Sequence, residues 1–278
     1  MILKSYSKIN LSLGVNKKLV NGLHDIQSYF CQINLFDKIK IKKIKKRKDS
    51  IKFRGKFAKH ISRKKNSISD TLTVLREENI ITNYYSVEIL KKIPVFAGLG
   101  GGTSNAACLI KYFIKKNKNK NLLTTLEKKI GSDLKLFFYE QGFLKDLKII
   151  NNFKKKYNYF FLLVYPNIRS STKQIYSKLE KYSPKSKYNF NKINNKKKFI
   201  KILADVNNDL QIIVEKRYPV IRKLITEIKQ KRGCYFSRMT GSGSVCYGLF
   251  TSKKTAKVAL AKIKLKYPKL WFSVAKTI

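Results

Sequence analysis

Apolar and polar residues alternate over residues 2–15 (ILKSYSKINLSLGV), with Ile9, Leu11 and Leu13 on one side and Lys8 and Asn10 on the other, the period of a β-strand. Asn21-Gly22 then reads as a turn, and residues 31–44 return to a strand-like pattern. A charged segment follows to about residue 65, after which 68–78 predicts a short helix behind a capping residue. β-structure resumes over 84–91 and stops at Pro94, because proline brings no N–H to a ladder. Residues 97–107 (AGLGGGTSNAA) pass abruptly from glycines to good helix formers, with Thr103, Ser104 and Asn105 able to cap a helix running to about residue 115. A second helix is expected over 122–130, then a turn over 132–139 leading into an apolar element.

The polar, basic segment 151–158 marks a domain junction, giving expected domains 1–153 and 154–278. Beyond it, residues 159–165 (YFFLLVY) predict a buried strand, and 172–181 and 198–215 predict helices. Ile221, Leu224, Ile225 and Ile228 recur at helical spacing and form one apolar face. Two strands flank a glycine turn at 240–244, followed by a helix over 253–265 and a last strand over 270–275. There is no internal repeat, and low complexity is confined to a Lys/Asn patch at 185–198.

Composition narrows this picture. A 278-residue chain with 43% hydrophobic residues buries a sizeable core, which excludes disorder throughout. Sixty-two Lys and Arg against 16 Asp and Glu leave a net charge of +46, which points to nucleic acid, an anionic membrane or phosphorylated small molecules. Base-composition drift competes with all three: the cations are overwhelmingly Lys, accompanied by much Asn, Ile, Tyr and Phe, and on that account many lysines sit on solvated faces. No stretch reaches the roughly 20 apolar residues needed to cross a bilayer, and the N-terminus lacks the charged, apolar and small-residue regions of a secretory signal. A cytoplasmic protein is expected. Cys31, Cys108, Cys234 and Cys246 show neither CxxC pairing nor histidines at ligand spacing, which argues against a zinc site and a disulfide framework.

The chemistry is concentrated in the glycines. A glycine-rich turn opening a helix offers bare backbone N–H groups at the positive end of the helix dipole, a cradle for phosphate, and Gly98 to Gly102 followed by Thr103-Ser104-Asn105 has that form. No Lys-Ser or Lys-Thr follows the last glycine, so this is not a Walker loop, and the dinucleotide spacing is absent. A plain capped turn is the simpler alternative, but three consecutive glycines cost backbone entropy that a mere turn could avoid. The second glycine turn, MTGSGS at 239–244, reads alone as a common inter-strand turn; together the two suggest glycine loops lining a cleft. Asp133 (in Gly131-Ser132-Asp133), Lys8 and His24 are candidates that spacing alone leaves as cap, surface and polar residues.

In this order the segments resemble the GHMP kinases over nearly the whole chain. Ser7-Lys8-Ile9-Asn10-Leu11 is similar to the family's first motif, and residues 21–28 (NGLHDIQS) to the segment that follows it. Residues 94–107 (PVFAGLGGGTSNAA) resemble the central phosphate loop, Gly131-Ser132-Asp133 the Gly-Ala-Asp motif, Asn208-Asp209-Leu210 a short signature, and 239–244 the third motif. Asn105 resembles the branch whose substrate is 4-diphosphocytidyl-2-C-methyl-D-erythritol.

The resemblance implies an α+β, two-domain architecture: an N-terminal domain like ribosomal protein S5 domain 2, a ferredoxin-like C-terminal domain, and ligands bound between them. It implies transfer of the ATP γ-phosphoryl to the 2-hydroxyl of that substrate in non-mevalonate isoprenoid synthesis, with Mg²⁺ accompanying ATP and no resident protein metal site. Asp133 would be the base or orienting carboxylate and Lys8 its partner. ATP would be met by Lys91, Pro94, Ala97, Gly98, Leu99, Gly100, Gly101, Gly102, Thr103, Ser104 and Asn105, and by Gly241, Ser242 and Gly243. Asn10, His24, Asp133 and Tyr176 would hold the substrate, His24 pairing with the cytosine edge. The implied partner is this small molecule, with no specific nucleic acid, no membrane, and a monomer or weak dimer.

Three departures from the pattern stand out: Leu23 replaces a tyrosine that stacks on cytosine, Lys135 a proline, and Thr71 an asparagine. Two alternatives stay open from sequence. One is another GHMP small-molecule kinase, acting for instance on mevalonate or homoserine, against which His24, Asn10 and Asn105 argue. The other is a basic nucleic-acid-binding protein on a kinase fold, prompted by the charge and by 16 Tyr and 17 Phe available for stacking.

Overall fold

The computed structural model describes residues 1–62, 64–114, 120–153, 155–186, 193 and 195–278. The expected helix end at residue 115 and much of the 185–198 patch lie outside the described residues. The chain forms two compact units, each assembled from separated segments: Met1–Lys8, Leu35–Val95 and Gly100–Phe138 in the first, and Ile9–Asn34, Phe96–Leu99 and Tyr139–Ile278 in the second.

Strands β1 (Ile2–Asn10), β2 (Gly14–Lys18), β3 (His24–Ile44) and β4 (Ser50–Arg54) come first, followed by helix α1 (Ser67–Glu77) and β5 (Tyr84–Leu90). Helices α2 (Gly101–Ile114) and α3 (Lys120–Ile130) follow, then a 3-10 stretch, Ser132–Phe138. In the first unit β3 pairs antiparallel with β5, which pairs in parallel with β4. Strand periodicity sends Ile39, Ile41, Val87 and Ile89 inward, where they meet Ile68, Leu72 and Leu75 of α1 and Leu109 of α2. The other phase puts Lys38, Lys40, Lys42, Lys52 and Arg54 outside. Helix α1 starts where Asn66 accepts from the N–H groups of Ile68 and Ser69 while Ser69 bonds back, a capping box. Helix α2 buries Ala106, Ala107 and Ile110 against Leu122 and Leu126 of α3 and against Leu134 and Phe137.

The second unit adds β6 (Gln141–Leu144), β7 (Ile150–Asn152), β8 (Phe160–Tyr165), α4 (Thr172–Tyr176), α5 (Lys196–Asp205), α6 (Gln211–Arg217) and α7 (Val220–Lys229). It ends with β9 (Cys234–Met239), β10 (Cys246–Phe250), α8 (Lys253–Lys266) and β11 (Trp271–Lys276). A four-stranded antiparallel sheet runs β11-β8-β10-β9. The uninterrupted apolar run of β8 belongs to an inner strand buried on both faces. Helix α7 turns Ile221, Leu224 and Ile228 into the core. Cys31 and Cys246 are fully buried, and Cys108 and Cys234 partly so; all four are free thiols.

The structure departs from the sequence expectations in four places. The strand expected over 2–15 breaks at 11–13, because Leu13 leaves β3 to bridge Asn208. The charged segment before residue 65 contains β4, where Ile51 and Phe53 alternate with Lys52 and Arg54. The helix expected over 172–181 ends at Tyr176. The helix expected over 198–215 is two: the Leu13 N–H donates to the Asn207 carbonyl and the Asp209 N–H to the Leu13 carbonyl, so the backbone there serves a neighbouring segment instead of a helix.

Leu224→Ala is expected to cost about 2–5 kcal/mol in urea unfolding, as for a fully buried leucine. Lys223→Ala, one residue away and exposed, should stay within about 0.5 kcal/mol.

Candidate active site

Strand β1 is buried on both faces here: Ser5 and Ser7 on one and Lys8 on the other are nearly inaccessible. Lys8 Nζ lies 3.2 Å from Asp133 Oδ2, the lysine 3% and the carboxylate 39% exposed. Phe137, buried in the core of that unit, anchors the 3-10 stretch that presents Asp133. The glycine loop runs against this pair. A β-carbon on Gly100 would fall 2.7 Å from Phe137 Cζ and 3.3 Å from Lys8 Cε, so its main chain can lie on both side chains only because it has none of its own. Helix α2 starts at Gly101 with no acidic residue in its first turn, leaving its positive end uncompensated by its own sequence. Gly102 is exposed, Thr103 half-buried, and Ser104 and Asn105 are buried on the inner side of the helix.

Behind the loop is a closed polar cluster. The Lys91 ammonium is ion-paired with Asp37, and both side chains are essentially inaccessible. Burial pulls the Lys91 ammonium down from its ordinary value, opposed by the Asp37 charge. Asp37 Oδ1 also accepts from the N–H groups of Lys92 (2.7 Å) and Ile93 (2.9 Å). With its amide oxygen 3.1 Å from Lys91 Nζ, Asn105 aims its nitrogen at Asp37 Oδ2 (3.1 Å), the Gly101 carbonyl (3.0 Å) and Ser5 Oγ (2.8 Å). Ser104 Oγ donates to the Tyr6 carbonyl, so the 2.6 Å contact between the Ser5 and Ser104 hydroxyls has Ser5 as donor.

In the second unit the two glycine turns touch. Gly98 has φ +77°, and a β-carbon there would fall 2.1 Å from the Thr240 carbonyl oxygen. Thr240 Oγ1 accepts from the Asn10 N–H (3.0 Å) and donates to the Gly98 carbonyl (3.3 Å), and the Val245 N–H donates to the Ala97 carbonyl (3.2 Å). Asn208 braces the second turn, its amide donating to the carbonyls of Met239 (2.9 Å) and Gly241 (2.8 Å). The Ser242 hydroxyl meets Thr172 Oγ1 at 2.8 Å. Asn10 Nδ2 donates to Ser28 Oγ at 2.7 Å. The rings of His24 and Tyr176 lie 4.9 Å apart, with Tyr182 at 6.4 Å from His24, while Leu23 is exposed. Burial, and then the charge of Lys18, lower the His24 imidazole below its usual 6.5, so it is neutral at physiological pH.

The structure therefore brings together Lys8, Asp133 and Gly100 in the first unit, and Gly98, Asn10, Thr240 and Gly241, as well as His24 with Tyr176, in the second. Lys91, Ser104 and Asn105 it buries behind the loop. Sequence reasoning missed Asp37 and Ser5, and it placed Thr240 in the third motif without giving it a role of its own. A signal for Asp37 existed: in 36–41 (FDKIKI) the acid falls in phase with Ile39 and Ile41, the buried phase of its strand.

Residues 190–269 match the family profile for the C-terminal part of GHMP kinases. The chain is 36% identical to the 4-diphosphocytidyl-2-C-methyl-D-erythritol kinase of Pelagibacter ubique (strain HTCC1062), covering 99% of this chain and 98% of that protein. To the protein of the same name from Wolbachia pipientis wMel it is 31% identical, over 96% and 95% of the two chains. A crystal structure of 4-(cytidine 5'-diphospho)-2C-methyl-D-erythritol kinase superposes with TM-score 0.73 at 20% identity, covering 99% of both chains. A mevalonate kinase structure superposes with TM-score 0.68 at 16% identity, covering 100% of this chain and 99% of the other.

Gly98→Ala is expected to destabilise by several kcal/mol, since positive φ and an oxygen in the β-carbon position act together. Gly102→Ala, whose β-carbon meets only Ser67 Oγ at 3.6 Å, should be neutral or gain up to about 1 kcal/mol. Thermal unfolding of the two variants separates them, and equal melting temperatures would discard the packed-loop account.

Proposed function

The chain belongs to the GHMP kinases, in the 4-diphosphocytidyl-2-C-methyl-D-erythritol kinase family, and on that footing we propose that Lys8, Asp133 and the glycine loop carry the family's reaction. It is an ATP-using kinase that phosphorylates this alcohol in non-mevalonate isoprenoid synthesis. The observation that carries the residue assignment is the Lys8–Asp133 contact at 3.2 Å, lying against Gly100 of the loop.

Phosphoryl transfer asks a protein mainly to align the attacking oxygen with phosphorus and to stabilise negative charge spread over the transferred group. Asp133, partly exposed, accepts the hydrogen of the substrate 2-hydroxyl and aims its oxygen at the γ-phosphorus. As the new O–P bond forms and the bond to the departing ADP breaks, that proton passes to the carboxylate. The buried Lys8 ammonium keeps Asp133 oriented and supplies positive charge where negative charge grows. The amides of the loop and of the first turn of α2 meet the ATP phosphates.

Mg²⁺ would enter with ATP and would supply positive charge against that of the phosphates. Asp133, partly exposed, would be the carboxylate beside it. On the substrate side, neutral His24 offers one ring N–H and one acceptor to the cytosine edge, Tyr176 an aromatic face, and Asn10 its amide. With Leu23 in place of tyrosine, one stacking surface is gone. No helix among the described residues is long and apolar enough to cross a membrane, and the reading carries with it a cytoplasmic enzyme acting on dissolved substrates.

Purified protein is expected to form ADP from ATP only when the diphosphocytidyl alcohol is present. Asp133→Ala and Lys8→Ala should each lower kcat by about 10² to 10⁴ with the fold kept; near-normal turnover in either removes its assigned role. The His24 reading fixes a pH dependence. Because burial and Lys18 hold the folded imidazole below 6.5, the rise of KM for the alcohol with falling pH should have its midpoint below pH 6.5. A midpoint at or above 6.5 would count against the neutral ring.

A further inference from the structure

The cluster behind the glycine loop touches both ends of it. Asp37 Oδ1 receives the N–H groups of Lys92 and Ile93, the last residues before Pro94, where the loop begins. Asp37 Oδ2 receives Lys91 Nζ and the Asn105 amide, and the same amide nitrogen reaches the carbonyl of Gly101, where the loop becomes helix α2. Lys91 Nζ itself lies 3.4 Å from where a Gly101 β-carbon would be. One carboxylate thus ties the entry and the exit of the loop to a single point.

Its partners leave little freedom. The ammonium has Asp37 Oδ2 and Asn105 Oδ1. The two amide hydrogens of Asn105 are shared among Asp37 Oδ2, the Gly101 carbonyl and Ser5 Oγ, and Ser5 Oγ donates to Ser104 Oγ, which donates to the Tyr6 carbonyl. Directions along this chain are fixed from the backbone outward, so the Ser104 hydroxyl hydrogen is committed to a carbonyl. A buried acid and base are a poor choice for stability alone, since apolar residues of the same volume serve as well or better. What such a pair adds is a defined geometry, and the geometry here is that of the loop.

We propose that Asp37 is a positioning residue for ATP: together with Lys91 and Asn105 it holds the entry strand and the first turn of α2 so that the loop amides face the phosphates. This deepens the reading given under Proposed function and rests on it. Lys91 acts through the loop and not by touching the nucleotide.

The test compares wild type with Asp37→Asn, Lys91→Met, the double variant and Asn105→Ala, by calorimetric binding of Mg·ADP and by steady-state kinetics. Asp37→Asn keeps an acceptor for the two backbone amides but strands the ammonium. It should weaken Mg·ADP and raise KM for ATP by about tenfold or more, with a loss of kcat of up to about 10²-fold from misplacement, while KM for the diphosphocytidyl alcohol stays within about twofold. Adding Lys91→Met removes the stranded charge and should recover most of the Mg·ADP affinity. The proposal is overturned if Asp37→Asn binds Mg·ADP as wild type does. It is also overturned if Lys91→Met alone abolishes turnover with Mg·ADP affinity intact and unrescued, for then Lys91 serves the transferred group directly. If the charge variants do not fold, Asn105→Ala decides: the same nucleotide-selective loss supports the clamp, and unchanged Mg·ADP affinity rejects it. Wild type that forms no ADP with the alcohol would strike the kinase reading instead, and leave the binding comparison intact.

Discussion

Backbone amides can be offered to an anion only if something other than the anion holds the chain that carries them. In this protein that restraint comes from behind. In the first unit, Ser67 donates to the Gly102 carbonyl and the buried set around Asp37 fixes the start of α2. In the second, Gly98 lies on Thr240 and the second glycine turn hangs from Asn208. Every polar atom so used is one that would be costly to bury alone and inexpensive to bury in company. Local conformation, packing and chemistry meet at the same few residues: the positive φ of Gly98 is tolerated because glycine occupies it, and the missing side chain is what lets the two turns touch.

Much of the fold was legible because its elements are locally consistent. The alternation in β3, the capping box of α1, the apolar run of β8 and the 3.6-residue rhythm of α7 each identify an element without knowledge of its neighbours. Where reading failed, tertiary demands overrode local preference. β4 is hidden in a run of cations although its two inward residues alternate correctly, and α5 and α6 are parted because residues 207–209 bond to Leu13. The site divides in the same way. Its glycine loop is a local object and can be read from composition. The meeting of Lys8 with Asp133 depends on topology, and no periodicity reveals it; resemblance to a family was needed to pair them. Asp37 could have been found from its strand phase, had the acid been weighed against the isoleucines flanking it.

The net charge of +46 takes on a different meaning once the cations are sorted by where they lie. On the outer face of the first unit's sheet, Lys38, Lys40 and Lys42 of β3 stand in register with Leu90, Glu88 and Ser86 of β5, which in turn face Arg54, Lys52 and Ser50 of β4. Glu88, paired with Arg54, is the one acid in these rungs. Such cations raise the local concentration of anionic substrates, whatever their individual identity. Lys8 and Lys91 are of another kind: each is buried, each faces an aspartate, and neither is exchangeable with a neighbour.

The cysteines carry a quieter consequence. Burial pushes the Cys108 thiol up to about 11 and that of Cys234 to about 12, and drives Cys31 and Cys246 higher still. Only the thiolate attacks peroxides, disulfides and alkylating agents, and at neutral pH these sulfurs hold their protons. Packing thus turns four potential nucleophiles into inert apolar filling, each sulfur serving the core as a small hydrophobe.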